Sequence, residues 1–262
     1  MKSPTVLPMD IRLMQAATSA LVALAVLVCL GGALWWAVRL PVFSLQAITV
    51  EGEVTRNNAV TLKANVVPQL QGNFFTLRLE QARAAFEAVP WVRTVVVHRE
   101  FPNRLRVEMR EHQPFALWGD EGVSTLLNRQ GQVFEANVDE AETEGMPRLK
   151  GPDSQSSEVL AMYRLLRPML QGLDMDIGEL ELSPRGNWRL ATDRGAAIEL
   201  GRGTPQEIGE QLQLFLRTLS QVSARYGRTP RALAGADLRH KDGYALRLQG
   251  VTTLENDPRK KP

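Results

Sequence analysis

Four kinds of residue in this chain could carry chemistry, and each would need a particular spacing to do so. The three histidines, His98, His112 and His240, could ligate a metal or move protons, but they lie far apart. None forms an HExxH or related ligand spacing. Cys29 is the single cysteine and lies in an uncharged apolar run, so the rest of the chain has no thiol to oxidise, which fits an exported domain. Two acid pairs, Asp174 with Asp176 and Glu179 with Glu181, could share general acid and base work, as in glycoside hydrolases. At a spacing of two on a strand, however, both carboxylates point to one face, which for Glu179 and Glu181 is most simply the solvated side. Gly201-Arg202-Gly203 begins like a dinucleotide loop, but Gln206 stands where the third glycine belongs, so the two glycines read as a strand end before a helix. There is no GxSxG elbow and no Walker loop. The sequence therefore points away from an enzyme, and no cofactor or metal is expected.

Binding chemistry is better represented, at the C-terminal end. Gly235 to His240 and Tyr244 to Leu248 read as a hairpin turned by Lys241-Asp242-Gly243. A terminal strand often lies at a sheet edge with unpaired backbone N–H and C=O groups, and such an edge can accept a partner's strand. The partner's backbone would supply affinity, and alternate side chains such as Tyr244, Leu246 and Arg247 would supply selectivity on the two faces.

The first of the elements that must position this edge is an anchor. No charge occurs between Arg12 and Arg39, and Leu13 to Val38 is a 26-residue apolar run, against the ~20 residues needed to cross hydrocarbon. Trp35 and Trp36 mark one end of it, and Lys2 and Arg12 precede the other. A cleaved signal would have a shorter apolar core and a small-x-small site, where this run has two tryptophans. The expectation is an uncleaved single-pass helix, and the flanking charges favour a cytoplasmic N-terminus.

Residues 40 to 262 are enough for one large domain or two small ones with real cores. A net charge of +2 gives no sign of nucleic-acid binding. Arg259, Lys260 and Lys261 lie in a Pro-flanked tail that reads as disordered.

Within that length, residues 44 to 50 alternate and close at Glu51-Gly52 as a strand. Thr55 is placed to cap a helix over Asn57 to Val67. A second helix fits Leu79 to Val89, with Leu79, Ala82, Phe86 and Val89 on one face, and Pro90 stops it. Val92 to Arg99 and Arg104 to Glu111 then pair across Glu100-Phe101-Pro102-Asn103, with Leu105, Val107 and Met109 alternating with charges. The order strand, helix, helix, strand, strand makes a three-stranded sheet covered on one face by two helices. Arg104, Arg106, Glu108 and Arg110 form its wet face.

Beyond Pro114 short strands dominate: Ser124 to Leu127, Gln132 to Glu135, Glu179 to Leu182, Asn187 to Ala191 and Ala196 to Leu200, the last three an antiparallel meander. One helix fits Ser157 to Leu170. A capping box with proline, Thr204-Pro205-Gln206-Glu207, opens another that ends at Gly227 and buries Ile208, Leu212, Phe215, Leu219 and Val222.

FSLQAITVEG after a spanning helix, then VPWVRTVVVHREFPNRLRVEMREHQPFALW, LNRQGQVF and ADLRHKDGYALRL occur here in one order over nearly the whole chain. In this the sequence resembles the FtsQ/DivIB family of bacterial cell-division proteins. The Pro-Trp-Val, Phe-Pro-Asn and Glu-His-Gln-Pro stretches look like that family's polypeptide-transport-associated (POTRA) domain. The resemblance implies an α+β protein: a tail over residues 1–12, a transmembrane helix over 13–38, a POTRA domain over 43–113, an antiparallel β domain with helices over 114–250, and a disordered tail over 251–262. It also implies a cytoplasmic N-terminus, a periplasmic bulk and a place at the division septum. The implied role is a non-enzymatic scaffold for the small bitopic proteins FtsB and FtsL, linking early division proteins to septal peptidoglycan synthesis. The family pairs its last β strand with FtsB, which transfers to Tyr244, Ala245, Leu246, Arg247 and Leu248. It uses the second POTRA strand for further docking, which transfers to Thr94, Val97 and Arg99. The alternatives are a membrane-anchored periplasmic cell-wall enzyme and a POTRA-type assembly chaperone.

Overall fold

The structure, a computed structural model, describes residues 9–122, 124–240 and 243–252. Most of the short N-terminal tail, most of the basic C-terminal tail, and Lys241 and Asp242 of the expected hairpin turn therefore lie outside the described residues. The chain divides into two compact units, one ending at Glu111 and the other beginning at His112.

The first unit opens with α1, Met9–Val38. Its stretch Leu13–Val38 has mean hydropathy 2.4 and none of it is buried in protein. Apolar side chains on every face of an unpacked helix need a lipid solvent, so α1 is built as a membrane span. A 3-10 turn over Pro41–Phe43 follows, and it delays β1 to Ala47–Gly52, three residues later than the alternation suggests. Gly52 has φ +111, and a Cβ there would come within 2.2 Å of the Met109 carbonyl oxygen. Only glycine fits that approach.

Next come α2, Ala59–Val66, and α3, Leu79–Glu87, then β2, Val92–Glu100, and β3, Arg104–Glu111. The sheet order is β1-β3-β2, with β1 parallel and β2 antiparallel to the central β3. Leu105, Val107 and Met109 are fully buried, and Val107 and Met109 share one cluster with Val66, Ala85 and Phe86 from the two helices. The expected cap is corrected: Asn58, not Thr55, caps α2, its Oδ1 accepting the Thr61 N–H at 2.8 Å.

Thr55 is occupied elsewhere. Glu111 turns inward and accepts from the Thr55 N–H and hydroxyl at 2.9 and 3.0 Å, from the Arg56 N–H at 2.9 Å, and from the Asn57 N–H and side-chain amide at 2.9 and 3.1 Å. Burial by itself would raise this carboxyl, but the N–H groups of Arg56, Asn57 and Thr55 outweigh it and hold Glu111 below the usual carboxylate range. The Arg56 guanidinium lies 4.5 Å over the ring of Trp91, which is buried and has φ 72. The Glu-His-Gln-Pro and Pro-Trp-Val stretches thus meet in one polar knot. Because the folded carboxyl is depressed, the stability it contributes is complete above its unfolded value and lost as pH falls through the folded one. Urea melts of the full chain are expected to show the first unit weakening from about pH 5 downwards, and Glu111→Gln should flatten that dependence.

The second unit contains β4 (Pro114–Trp118), β5 (Thr125–Asn128), β6 (Val133–Glu135), α4 (Glu140–Thr143), β7 (Arg148–Lys150) and α5 (Ser156–Gln171). It continues through β8 (Ile177–Leu182), β9 (Trp188–Thr192), β10 (Ala197–Gly201), α6 (Pro205–Arg225), β11 (Leu233–Asp237) and β12 (Ala245–Leu248). All nine strands form one sheet in the order β12-β11-β10-β9-β8-β7-β4-β5-β6. The expected meander β8–β9–β10 is antiparallel. The pairs β4–β7, β7–β8 and β10–β11 are parallel, so the sheet is mixed. A parallel neighbour needs a crossover, and α5 and α6 supply it for the last two. Their buried stripes, among them Leu166 and Leu170 on α5 and Leu212, Phe215 and Leu219 on α6, share the main core with Leu180, Leu190 and Ile198 of the sheet. Thr204 and Glu207 form the expected capping box of α6.

Candidate functional site: the C-terminal sheet edge

β12 is the outermost strand, with β11 on one side and, among the described residues, no strand on the other. The pairing is antiparallel, with Asp237 opposite Ala245, Ala236 opposite Leu246 and Gly235 opposite Arg247. Two bonds outside this ladder show which way the backbone groups point. The Gln249 N–H donates to the Ala232 carbonyl at 2.8 Å, towards the β11 side. Across β11, the Leu238 N–H donates to the Glu199 carbonyl at 2.8 Å. In a parallel pair one residue bonds the two that flank its partner, so Asp237 turns its own N–H and C=O towards β12. Direction alternates along a strand, so Ala245 and Arg247 bond inward to β11. The N–H and C=O of Leu246 and the N–H of Leu248 point away from the sheet, where an added strand would meet them, while the Leu248 carbonyl accepts the Val251 N–H at 3.3 Å.

Side chains follow the opposite rule. Leu248 is buried, and Leu246 and Tyr244 are half-buried against the main core, whereas Ala245 and Arg247 are exposed. Tyr244 precedes β12 rather than belonging to it. Its ring meets Phe215 of α6 edge-on with centroids 5.0 Å apart, and its hydroxyl donates to Thr218 Oγ1 at 2.6 Å. α6 therefore holds the strand from beneath and leaves its edge open. Tyr244→Phe is expected to cost about 1 kcal/mol, read as a lower melting temperature with the fold retained.

The neighbouring strand is stiffened in turn. Arg239 donates to both carboxylate oxygens of Asp237, at 2.9 and 2.6 Å, and its backbone N–H adds a bond at 3.0 Å. These donors hold Asp237 down to about 2. Gln211 of α6 also donates to the Leu238 carbonyl. The sequence places Phe215 on the buried stripe of α6 but not against Tyr244, and it carries no signal for Thr218 or the Asp237–Arg239 latch.

The three POTRA docking residues do not form one surface. Thr94 pairs with Arg110 and lines a shallow groove on the open sheet face with Glu51, Val96 and Glu108. Val97 pairs with Val107 and packs against the core, and Arg99 donates to the Leu77 carbonyl at 2.5 Å. What the three share is β2, which is itself an edge of its sheet.

Three of the four paired acids, Asp174, Asp176 and Glu179, sit beside basic groups. Arg167 bonds Asp176 at 2.8 Å and holds it below the usual range, and Arg231 takes Asp174. Lys150 lies 3.2 Å from Glu179. Among the described residues no group of three or more His, Cys, Asp or Glu side chains could hold a metal ion.

Comparison with known proteins agrees with this architecture. The POTRA domain of the FtsQ type matches residues 43–112, and the C-terminal domain of cell division protein FtsQ/DivIB matches residues 116–239, ending before β12. Cell division protein FtsQ of Thiomonas arsenitoxydans is 39% identical over 252 residues, covering 95% of this chain and 91% of that protein. The FtsQ of Burkholderia pseudomallei is 35% identical, covering 94% and 96%, and that of Bordetella pertussis is 35% identical, covering 91% and 92%. With both family domains matched in order and relatives 35–39% identical across more than nine tenths of either chain, the chain belongs to the FtsQ/DivIB family of cell-division proteins.

Proposed function

We propose that this protein serves cell division as a non-catalytic scaffold, capturing FtsB- and FtsL-like bitopic proteins by strand addition to β12 and thereby linking early division proteins to septal peptidoglycan synthesis. The observation that carries it is the open edge of β12, with the N–H and C=O of Leu246 and the N–H of Leu248 directed outward while Tyr244, Leu246 and Leu248 are anchored by the core. Such an edge supplies sequence-tolerant affinity through the backbone, and Ala245 and Arg247 supply selectivity on the exposed face. Residues 43–113 act as the POTRA domain with β2 as a second docking strand, and 114–250 as the partner-binding domain. α1 anchors the chain in the inner membrane with its N-terminus in the cytoplasm. The ion pairs of Asp174, Asp176 and Glu179 favour this over a cell-wall hydrolase, which needs a pair of carboxyls free to trade protons.

The test is a titration of the full chain, in lipid nanodiscs, with the periplasmic segment of FtsB from the same organism. Saturable binding that Arg247→Glu weakens is expected. No binding to wild-type protein would remove FtsB as the partner.

A further inference from the structure

One end of the first unit is aromatic, basic and tied directly to the end of α1. Phe101 is 73% exposed and Phe75 46%. Phe43 packs on Phe75 with centroids 4.8 Å apart, and Phe74 on Phe101 at 5.9 Å, so the rings form one patch. In water such a patch is a liability that calls for a cover.

The cover is indicated by what the patch is attached to. The 26 residues of the span measure about 39 Å as a helix, longer than the ~30 Å of hydrocarbon. The last turn, with Trp35 and Trp36, therefore reaches the headgroup layer. There the Val38 carbonyl accepts the Asn73 side-chain N–H at 2.6 Å. The same Asn73 accepts from the N–H groups of Phe75 and Thr76, both at 3.0 Å, so the turn presenting Phe75 is built on the residue that grips the helix end. Asn103 donates to the Val42 carbonyl at 3.3 Å and brings in the turn that carries Phe101. Segments 38–46, 73–78 and 101–104 contain Arg39, Arg78 and Arg104 but no Asp or Glu. Glu100, next in the chain, is paired with Arg106 at 3.0 Å.

We propose that this end lies in the headgroup layer of the bilayer that α1 crosses, with Phe75 and Phe101 inserted and the three arginines against anionic lipid phosphates. Aromatic rings are at home in that layer, and basic residues gain from its negative surface. The consequence is a second point of attachment that fixes the tilt of the POTRA sheet on the membrane.

The experiment places an environment-sensitive fluorophore on the full chain in nanodiscs whose lipids are brominated high on the acyl chains. Native Cys29 carries it in one sample; Val42→Cys or Val60→Cys carries it in a Cys29→Ala background. Val60 is 76% exposed on α2, close to Asn57 and so at the far end of β3 from Arg104. Strong quenching at Cys29 and Val42, little at Val60, and loss of the Val42 quenching in Phe75→Glu/Phe101→Glu are expected. Quenching at Cys29 with none at Val42 would overturn the proposal and leave the patch to a protein partner. No quenching at Cys29 would overturn the membrane span itself.

Discussion

Replacing Leu246 by proline is expected to weaken capture of the partner strand by about two orders of magnitude while leaving the fold in place. The Leu246 N–H points out from the sheet, so proline removes a donor the partner needs without breaking the bond from β12 to β11. The partner carbonyl that would meet this N–H is left buried without a donor, at about 1–3 kcal/mol, and 1.4 kcal/mol is tenfold in affinity. Ala245→Pro should behave differently. Its N–H faces Asp237 across the hairpin, so the loss falls on the strand itself, and melting temperature and affinity should drop together. Titration and thermal melts of both variants separate the cases; a larger stability loss for Leu246→Pro than for Ala245→Pro would mean that the backbone directions are assigned the wrong way round.

Glu111→Leu should be the most damaging single change in the first unit. It deprives buried or half-buried donors on Thr55, Arg56 and Asn57 of their acceptor. Each stranded group costs about 1–3 kcal/mol, and several are left at once. Urea melts should show the POTRA unit unfolded or severely weakened, with the second unit unchanged because its core contains none of these groups. A loss below about 1 kcal/mol would mean that water replaces the carboxylate without cost.

Much of the fold was legible because periodicity is a physical signature of burial. The spanning run, the alternation of β3, and the capping box and stripe of α6 each place an element with its buried face. Two strands escaped notice for the same reason: β7 is three residues long with only Leu149 buried, and β4 begins at a proline. The parallel pairings were also beyond reach, since only the crossover helices in three dimensions create them. Asn58 and Thr55 are both good caps, and the choice was made by Glu111, fifty-odd residues away.

Glu111 itself was within reach. The alternation that turns Leu105, Val107 and Met109 inward turns position 111 inward as well, and the burial pattern of β3 continues unbroken through it. The edge strand holds a similar lesson. Tyr244, Leu246 and Leu248 share one parity, and that parity is the core face. Leu246→Glu therefore puts a charge against the core, and the cleaner probes are the outward-facing Arg247 side chain and the Leu246 backbone N–H.

Backbone amide exchange in β12, with and without the periplasmic segment of FtsB, tests strand addition most directly. The N–H groups of Leu246 and Leu248 should exchange quickly in the free protein and slow markedly in the complex. Those of Ala245 and Arg247, bonded to β11 throughout, should change little. Binding that leaves Leu246 and Leu248 exchanging at their free rates would contradict strand addition at this edge.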